Sequence, residues 1–319
     1  MEKEKTISFQ INKFAETQNF RDFLVSKYRA FKKVSVEQVF AEKRFEINGK
    51  LANEKTVVTS GDILTFRHSS KFELSPEPEF RVIFEDENIL VISKDNCVPV
   101  TPISFVYFNS LVIFLREEFQ NPELSPVNRL DIETTGVMIF SKKKNFTKRL
   151  TKIFEKRKIY KEYFCVVFGK ANFSEKLVKG ELVRDSESKI FTKFKLLENE
   201  TPNSETNFTL LNSEEKPKAQ KIFQFYEEGN FSYLKAIPKT GKTNQIRIHS
   251  SSLSLPIVGD KKYFPDEKVY LDWFENDFTE EVQSKLLTKR QLLHCYKNEF
   301  VHPITKELIS CTSEPKENS

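Results

Sequence analysis

Asp131 has the most suggestive surroundings of any acidic side chain in this sequence. It stands in Val127-Asn128-Arg129-Leu130-Asp131-Ile132-Glu133-Thr134-Thr135-Gly136, a polar turn running directly into the apolar stretch Val137 to Phe140. Such a turn sets a carboxylate at the mouth of a sheet, where it can act as nucleophile or general base. A plainer role is open too: Asp131 could cap the turn and pair with Arg129, because aspartates are common in turns. A third is a glycosidase-like acid pair with Glu133, which would share a face with Asp131 on an extended chain, although such pairs usually come from different elements.

Four more segments follow in order. Lys161-Glu162-Tyr163 leads into Phe164 to Gly169, and Pro238-Lys239-Thr240-Gly241-Lys242-Thr243-Asn244-Gln245-Ile246-Arg247-Ile248-His249 comes next. Leu255-Pro256-Ile257-Val258-Gly259-Asp260-Lys261-Lys262-Tyr263 is third, and Leu292-Leu293-His294-Cys295 with Phe300-Val301-His302-Pro303 closes the series. In this order the segments resemble the RluA-type pseudouridine synthase family over residues 80 to 312, and residues 1 to 70 resemble the small alpha-L RNA-binding module that many members carry in front. The resemblance implies an α+β protein, with a catalytic domain on a mixed, largely antiparallel sheet with a central cleft, behind a small αα-β RNA-binding module. It implies that Asp131 is the catalytic aspartate of an H-R-L-D-x-x-T-S-G pattern. Tyr163 would be the ring that stacks on the target uracil and helps move a proton, and Arg247 the cation paired with the aspartate. The implied reaction breaks the N1–C1′ bond of a uridine in RNA, turns the base and joins C5 to C1′, with no metal and no nucleotide or other diffusible cofactor.

The departures from the family's pattern fall at polar positions. The leading His is Asn128, the Ser is Thr135, and T-G-R-T-H-Q-I-R reads with Lys242 and Asn244. Leu253-Ser254-Leu255-Pro256 lacks the usual Gly before Pro-Ile. Both asparagines can still hydrogen-bond to phosphate or base but carry no charge. Lys242 keeps a charge and loses arginine's planar fork.

The residue types suit this chemistry on physical grounds as well. A uridine must leave its stack, at a cost of a few kcal/mol, and a flat ring such as Tyr163 would offset about 1–3 kcal/mol of that. The acid must stay ionised where a base has displaced water, which makes a nearby cation a requirement. Ile246 and Ile248 flank Arg247 in a pattern that reads as a strand alternating into a covered site. On that strand His249 would share the face of Arg247, or it could be a structural histidine. His294, Cys295 and His302 have poor spacing for a metal and read as core or hydrogen-bonded residues. His68 gives no signal.

RNA would have a surface to follow. Lys142, Lys143, Lys144, Lys148, Arg149, Lys152, Lys156, Arg157, Lys158 and Lys161 stand against a single acid, Glu155, in a chain whose 51 basic and 46 acidic residues otherwise nearly balance. Lys148, Lys152 and Lys156 recur every fourth residue, a stripe opposite Phe146, Leu150 and Phe154 on one helix. Together with Lys158, Lys161, Arg129, Asn128, Lys242 and Asn244 they form the expected RNA-binding set. The front module is commoner in the branch acting on large-subunit ribosomal RNA, so the resemblance favours ribosomal over transfer RNA.

Composition excludes several alternatives. The eight glycines (Gly49, Gly61, Gly136, Gly169, Gly180, Gly229, Gly241 and Gly259) are never closer than 11 residues. That leaves no Walker A loop, no dinucleotide turn and no nucleophile elbow. Cys97, Cys165, Cys295 and Cys311 form no C-x-x-C pair, and such sparse thiols fit a reducing compartment, hence the cytoplasm. Residues 1 to 5 carry two glutamates and read as neither signal nor transit peptide. Asn96 to Leu115 is uncharged, but its apolar part from Ile103 would rise only about 20 Å as a helix and reads as buried core, with no membrane association.

The elements that must position these residues divide as follows. Residues 1–70 form a small module with helical spacing at Phe20, Phe23, Leu24 and Tyr28 and again at Val36, Val39 and Phe40, then a hairpin at Asn48-Gly49. Residues 71–79 are a linker, 80–312 the catalytic domain and 313–319 a frayed tail; 198–219 reads as an exposed insertion. The competing reading from another class is a catalytically silent RNA-binding or ribosome-assembly factor, prompted by Asn128, Lys242 and Asn244.

Overall fold

A computed structural model of the chain describes residues 3–11, 17–27, 40, 44–70, 73, 75–103, 106–199, 201–227 and 229–315. The chain divides into two compact units, residues 1–77 with 101–114, and residues 78–100 with 115–319.

The first unit contains β1 (Glu4–Gln10), β2 (Gln18–Asn19), α1 (Phe20–Lys27), β3 (Phe45–Ile47), β4 (Lys50–Leu51), β5 (Val57–Val58) and β6 (Ile63–Ser69). β1 pairs with β6 along its whole length in an antiparallel sheet of order β1-β6-β3-β4. This opening strand was not anticipated from the sequence. The β3–β4 turn at Asn48-Gly49 forms as expected, with φ of +50° and +76°, values that Asn and Gly tolerate best. Phe20, Phe23 and Leu24 of α1 enter a core with Phe45, Val58 and Leu64. The expected second helix at Val36 and Val39 lies outside the described residues. The expected linker is not a bare spacer. Glu73 bonds the buried His68 at 2.5 Å and accepts the backbone N–H groups of Tyr107 and Asn109.

The second unit is built on an eleven-stranded sheet. Its elements, with one helix that begins in residues of the first unit, are β7 (Phe80–Glu85), β8 (Ile89–Lys94), α2 (Leu111–Glu118), β9 (Ser125–Pro126), β10 (Thr135–Ser141), α3 (Lys144–Glu155), β11 (Tyr160–Phe168), β12 (Glu175–Arg184), β13 (Phe194–Leu197), β14 (Ser204–Leu210), α4 (Glu215–Phe223), β15 (Phe231–Pro238), α5 (Gln245–Ser252), α6 (Glu267–Asn276), α7 (Glu280–Leu286), β16 (Leu293–Val301) and β17 (Leu308–Thr312). The strand order is β13-β12-β14-β15-β11-β16-β10-β8-β7, with β17 beside β16 and β9 beside β10. Every described pairing is antiparallel except β10 with β16, so the sheet is mixed and mostly antiparallel, as expected. All seven residues of β10 are buried, which explains its unbroken apolar run.

The parallel seam is short: Thr135 faces His294 and Gly136 faces Cys295. Gly136 has φ +107°, and a Cβ there would stand 2.2 Å from the Cys295 carbonyl oxygen. Both features demand glycine at this point. Gly136→Ala is therefore expected to destabilise the fold by about 3 kcal/mol or more. A lower urea midpoint with an unchanged slope would record it.

Two expectations about exposed segments are corrected. Residues 198–219 are no insertion: β14 is an interior strand between β12 and β15, and α4 follows it. Ser204, Thr206 and Phe208 are all buried. The segment looks exposed by composition because two of its inward side chains, Ser204 and Thr206, are polar and bond the buried His249. The tail is likewise tied down at its start. Ser313 is buried, bonds Ser93 at 2.7 Å and accepts from His294, while Tyr296 donates to Glu314. Val98, Val100, Leu111, Val112 and Leu115 of the uncharged stretch are buried, and among the described residues no helix is long and apolar enough to cross a membrane.

Candidate active site

The turn before β10 is held from three sides. The Lys94 ammonium, wholly buried, donates to the carbonyls of Ile132 and Asn96, both at 2.7 Å; burial pushes its pKa down to about 8. Glu133 binds Lys261 at 2.7 Å and accepts the Gln291 backbone N–H at 3.1 Å. Gln291 also donates its side-chain N–H to Thr134. Glu133 is thereby committed to the wall of the site, so the acid pair with Asp131 does not form. Only Asp131 of the turn's acids meets the cleft, its side chain 30% exposed.

Its partner comes from α5. Arg247 was expected on a strand and lies on a helix, which starts at Asn244 with φ +57°. Alternating isoleucines misled because α5 is packed on several sides: Gln245, Ile246, Ile248, His249 and Ser250 are all buried. Residues two apart on a helix point in nearly opposite directions, so His249 does not share the face of Arg247. It sits between Ser204 and Thr206, at 2.9 Å from each, and burial holds it near pKa 4, neutral at pH 7.

Arg247 donates from Nη1 to Asp131 Oδ2 at 2.8 Å and to Asn244 Oδ1 at 3.0 Å. Its other edge makes a two-pronged contact with Asp260, Nε to Oδ2 at 2.7 Å and Nη2 to Oδ1 at 2.8 Å. Burial alone would lower the Arg247 pKa, but the charge and hydrogen bonds of Asp260, then of Asp131, outweigh it and raise the value. Burial likewise works to raise the Asp260 carboxyl, and the Arg247 charge prevails and lowers it. Asp260 also accepts the backbone N–H groups of Lys262 and Tyr263. Sequence reasoning quoted Asp260 in a motif and gave it no role. The usable signal was Gly259 beside it, with φ +79° and a hypothetical Cβ 2.0 Å from the Arg290 carbonyl oxygen. Only glycine lets the chain pass there and turn the next side chain inward.

Tyr163 arrives from β11, where the pairing with β16 shifts register between Glu162 and Tyr163. Such bulges re-aim a side chain beside active sites. Burial, then the nearby Cys295 and Asp131, pushes the Tyr163 hydroxyl well above its ordinary pKa, so it stays protonated.

Asp131, Tyr163 and Arg247 line one cleft that opens to solvent. Arg129, Lys161, Lys242 and Asn244 line it with them. Lys161 donates to the Thr240 carbonyl at 2.9 Å, and burial lowers its pKa. Asn244, expected to meet RNA, also donates to the Tyr263 hydroxyl at 3.2 Å, so both ends of its amide are used within the protein. Asn128 stands outside the cleft lining and accepts the Ile139 backbone N–H at 2.9 Å, bracing the turn. Lys148 and Lys152 are exposed on α3, opposite the buried Phe146 and Leu150, and Lys156 and Lys158 are exposed just beyond it. Lys142 and Lys143 at the head of the run are paired with Glu85 and Glu87. His294 bonds Thr135 at 2.8 Å as a structural residue. Among the described residues no group of His, Cys, Asp or Glu is placed to hold a metal ion.

A family model described as RNA pseudouridylate synthase matches residues 88–252, which include Asp131, Tyr163 and Arg247. The chain belongs to this family. Among its members, the ribosomal large subunit pseudouridine synthase C of Buchnera aphidicola is 27% identical over 304 residues, covering 92% of this chain and 88% of the relative. The mitochondrial tRNA pseudouridine(32) synthase of Saccharomyces cerevisiae is 29% identical over 249 residues, 77% of this chain and 50% of the relative. The solved structure of human RNA pseudouridylate synthase domain containing 1 shares the fold, with a TM-score of 0.55 at 20% identity, over 74% of this chain and 84% of that one.

Proposed function

We propose that this pseudouridine synthase family member isomerises uridine to pseudouridine in RNA within the Asp131 cleft. The observation that carries the reading is the Asp131 carboxylate 2.8 Å from the Arg247 guanidinium, with the Tyr163 ring lining the same cleft. A uridine extruded from its stack enters this space, and Tyr163 stacks on the base in place of its lost neighbours. Asp131, paired with Arg247, either attacks C1′ and is released again when C5 bonds there, or deprotonates the nucleoside, as the N1–C1′ bond breaks. The uracil turns, C5 bonds to C1′, the proton on C5 leaves and N1 gains one. Atoms balance, and no redox partner is needed. Tyr163 would relay that proton by taking the one from C5 as its own hydroxyl proton leaves towards N1.

Ribosomal RNA is the favoured substrate, supported by the front module's likeness to the alpha-L type; relatives named for ribosomal and for transfer RNA are both found. Buried free thiols at Cys165, Cys295 and Cys311 are consistent with work in the cytoplasm. Asn244 argues against the silent-factor reading, since its substitution leaves Arg247 an internal partner rather than an empty place. Pseudouridine maps of cellular RNA with and without the gene test the proposal. Loss of a site on deletion, restored by the wild type and not by an Asp131 variant, is expected; an unchanged map would overturn it.

The exposed lysines on and after α3 are proposed to track phosphates. Lys148→Ala combined with Lys152→Ala should weaken RNA binding uniformly across sequences and flatten the log–log salt slope by roughly 0.7–0.9 per lysine. A salt titration of RNA affinity measures this.

A further inference from the structure

We propose that the Arg184–Phe191 pair is a stacking platform for an unpaired RNA base beside the target uridine, an inference that rests on the cleft acting on RNA. Arg184 ends β12, and its guanidinium carbon lies 3.5 Å from the centroid of the Phe191 ring. The pair is exposed, with Phe191 at 63%. A single exposed phenylalanine is ordinary. An aromatic ring and a guanidinium laid face to face in water form the kind of flat, cationic surface that nucleobases stack on.

The loop carrying the pair is braced and tied to the active site. Ile190 is buried, and Glu267 accepts from Ser188, the Lys189 backbone and Lys193. Thr192, next to Phe191, receives the Lys262 ammonium at 2.9 Å, while the Lys262 backbone N–H donates to Asp260, the counter-ion of Arg247. One lysine therefore joins the platform's loop, through its side chain, to the counter-ion of Arg247, through its backbone N–H.

The test uses the full chain with Phe191→Ala, Phe191→Trp and Arg184→Met, titrated against a labelled single-stranded oligouridine and an RNA duplex of matching length. Phe191→Ala should lose about tenfold or more in affinity for the single strand, with less than about a twofold change for the duplex. Arg184→Met should lose in the same direction, and Phe191→Trp, which keeps a ring, should bind as the wild type does. Unchanged single-strand affinity in Phe191→Ala, equal loss for both RNAs, or failure of Trp to restore binding would overturn the platform. Because the readout is binding, the outcomes separate. Wild-type turnover without the single-strand loss sinks the platform alone, and the single-strand loss without wild-type turnover sinks the isomerase reading alone.

Discussion

Asp131→Asn is expected to abolish pseudouridine formation, with the rate falling by a factor on the order of 10⁴, while RNA affinity stays within about twofold of the wild type. The substitution keeps the shape of the side chain and one oxygen to accept from Arg247, but removes the charge that attacks or takes the proton. The partial exposure of Asp131 makes folding insensitive to the change. Single-turnover assays on RNA from cells lacking the gene, with binding measured in parallel, separate the two effects. Turnover at even a tenth of the wild-type rate would remove Asp131 from the reaction.

Arg247→Met should have the second large effect, on stability as well as activity. It strands Asp260, wholly buried and ionised, without its cation. Breaking a buried pair from one side is destabilising by about 3–5 kcal/mol. Arg247→Met combined with Asp260→Leu should recover much of that stability and none of the activity, because Asp131 still lacks its partner. The pH dependence carries a sign that distinguishes the variants. In the wild type the folded Asp260 pKa lies below the unfolded value of about 3.9. Its contribution is therefore complete above that value and disappears as pH falls through the lowered one. In Arg247→Met the stranded carboxyl binds its proton more readily when folded, so acidification from neutrality towards pH ~4 should narrow the stability gap to the wild type. Urea midpoints across that range record both.

Much of this architecture could be read from residue order. The Asp131 turn, the hairpin of β3 and β4, the buried β10 and the amphipathic α3 follow from local pattern and turn chemistry, which act within a few residues. Misreadings arose where tertiary contacts decide. Ile246 and Ile248 alternate, yet both are buried on a helix because the sheet and the β13 side surround it. Ser204 and Thr206 look like surface residues and instead fill an interior strand by bonding His249. Asp260 and Lys94 escaped notice because their roles depend on partners 13 and 38 residues away, Arg247 and the Ile132 carbonyl. Asn128 and Asn244, expected among the RNA contacts, also bond within the protein, to the Ile139 N–H and to Arg247 and Tyr263, partners that local pattern does not reveal.

The fork between Arg247 and Asp260 has a consequence for how the reaction starts and ends. With two carboxylates on one guanidinium, Asp131 is oriented by a cation whose charge is already shared with Asp260. On the proposed reaction, that sharing leaves Asp131 less tightly held than an undivided positive neighbour would hold it. Should Asp131 give up its charge to a new bond or a proton, as the proposed reaction requires, Arg247 keeps Asp260 as its counter-ion. A permanent counter-ion of this kind lets the negative charge come and go at Asp131 with little movement of the surrounding dipoles, which lowers the reorganisation needed in each half of the cycle.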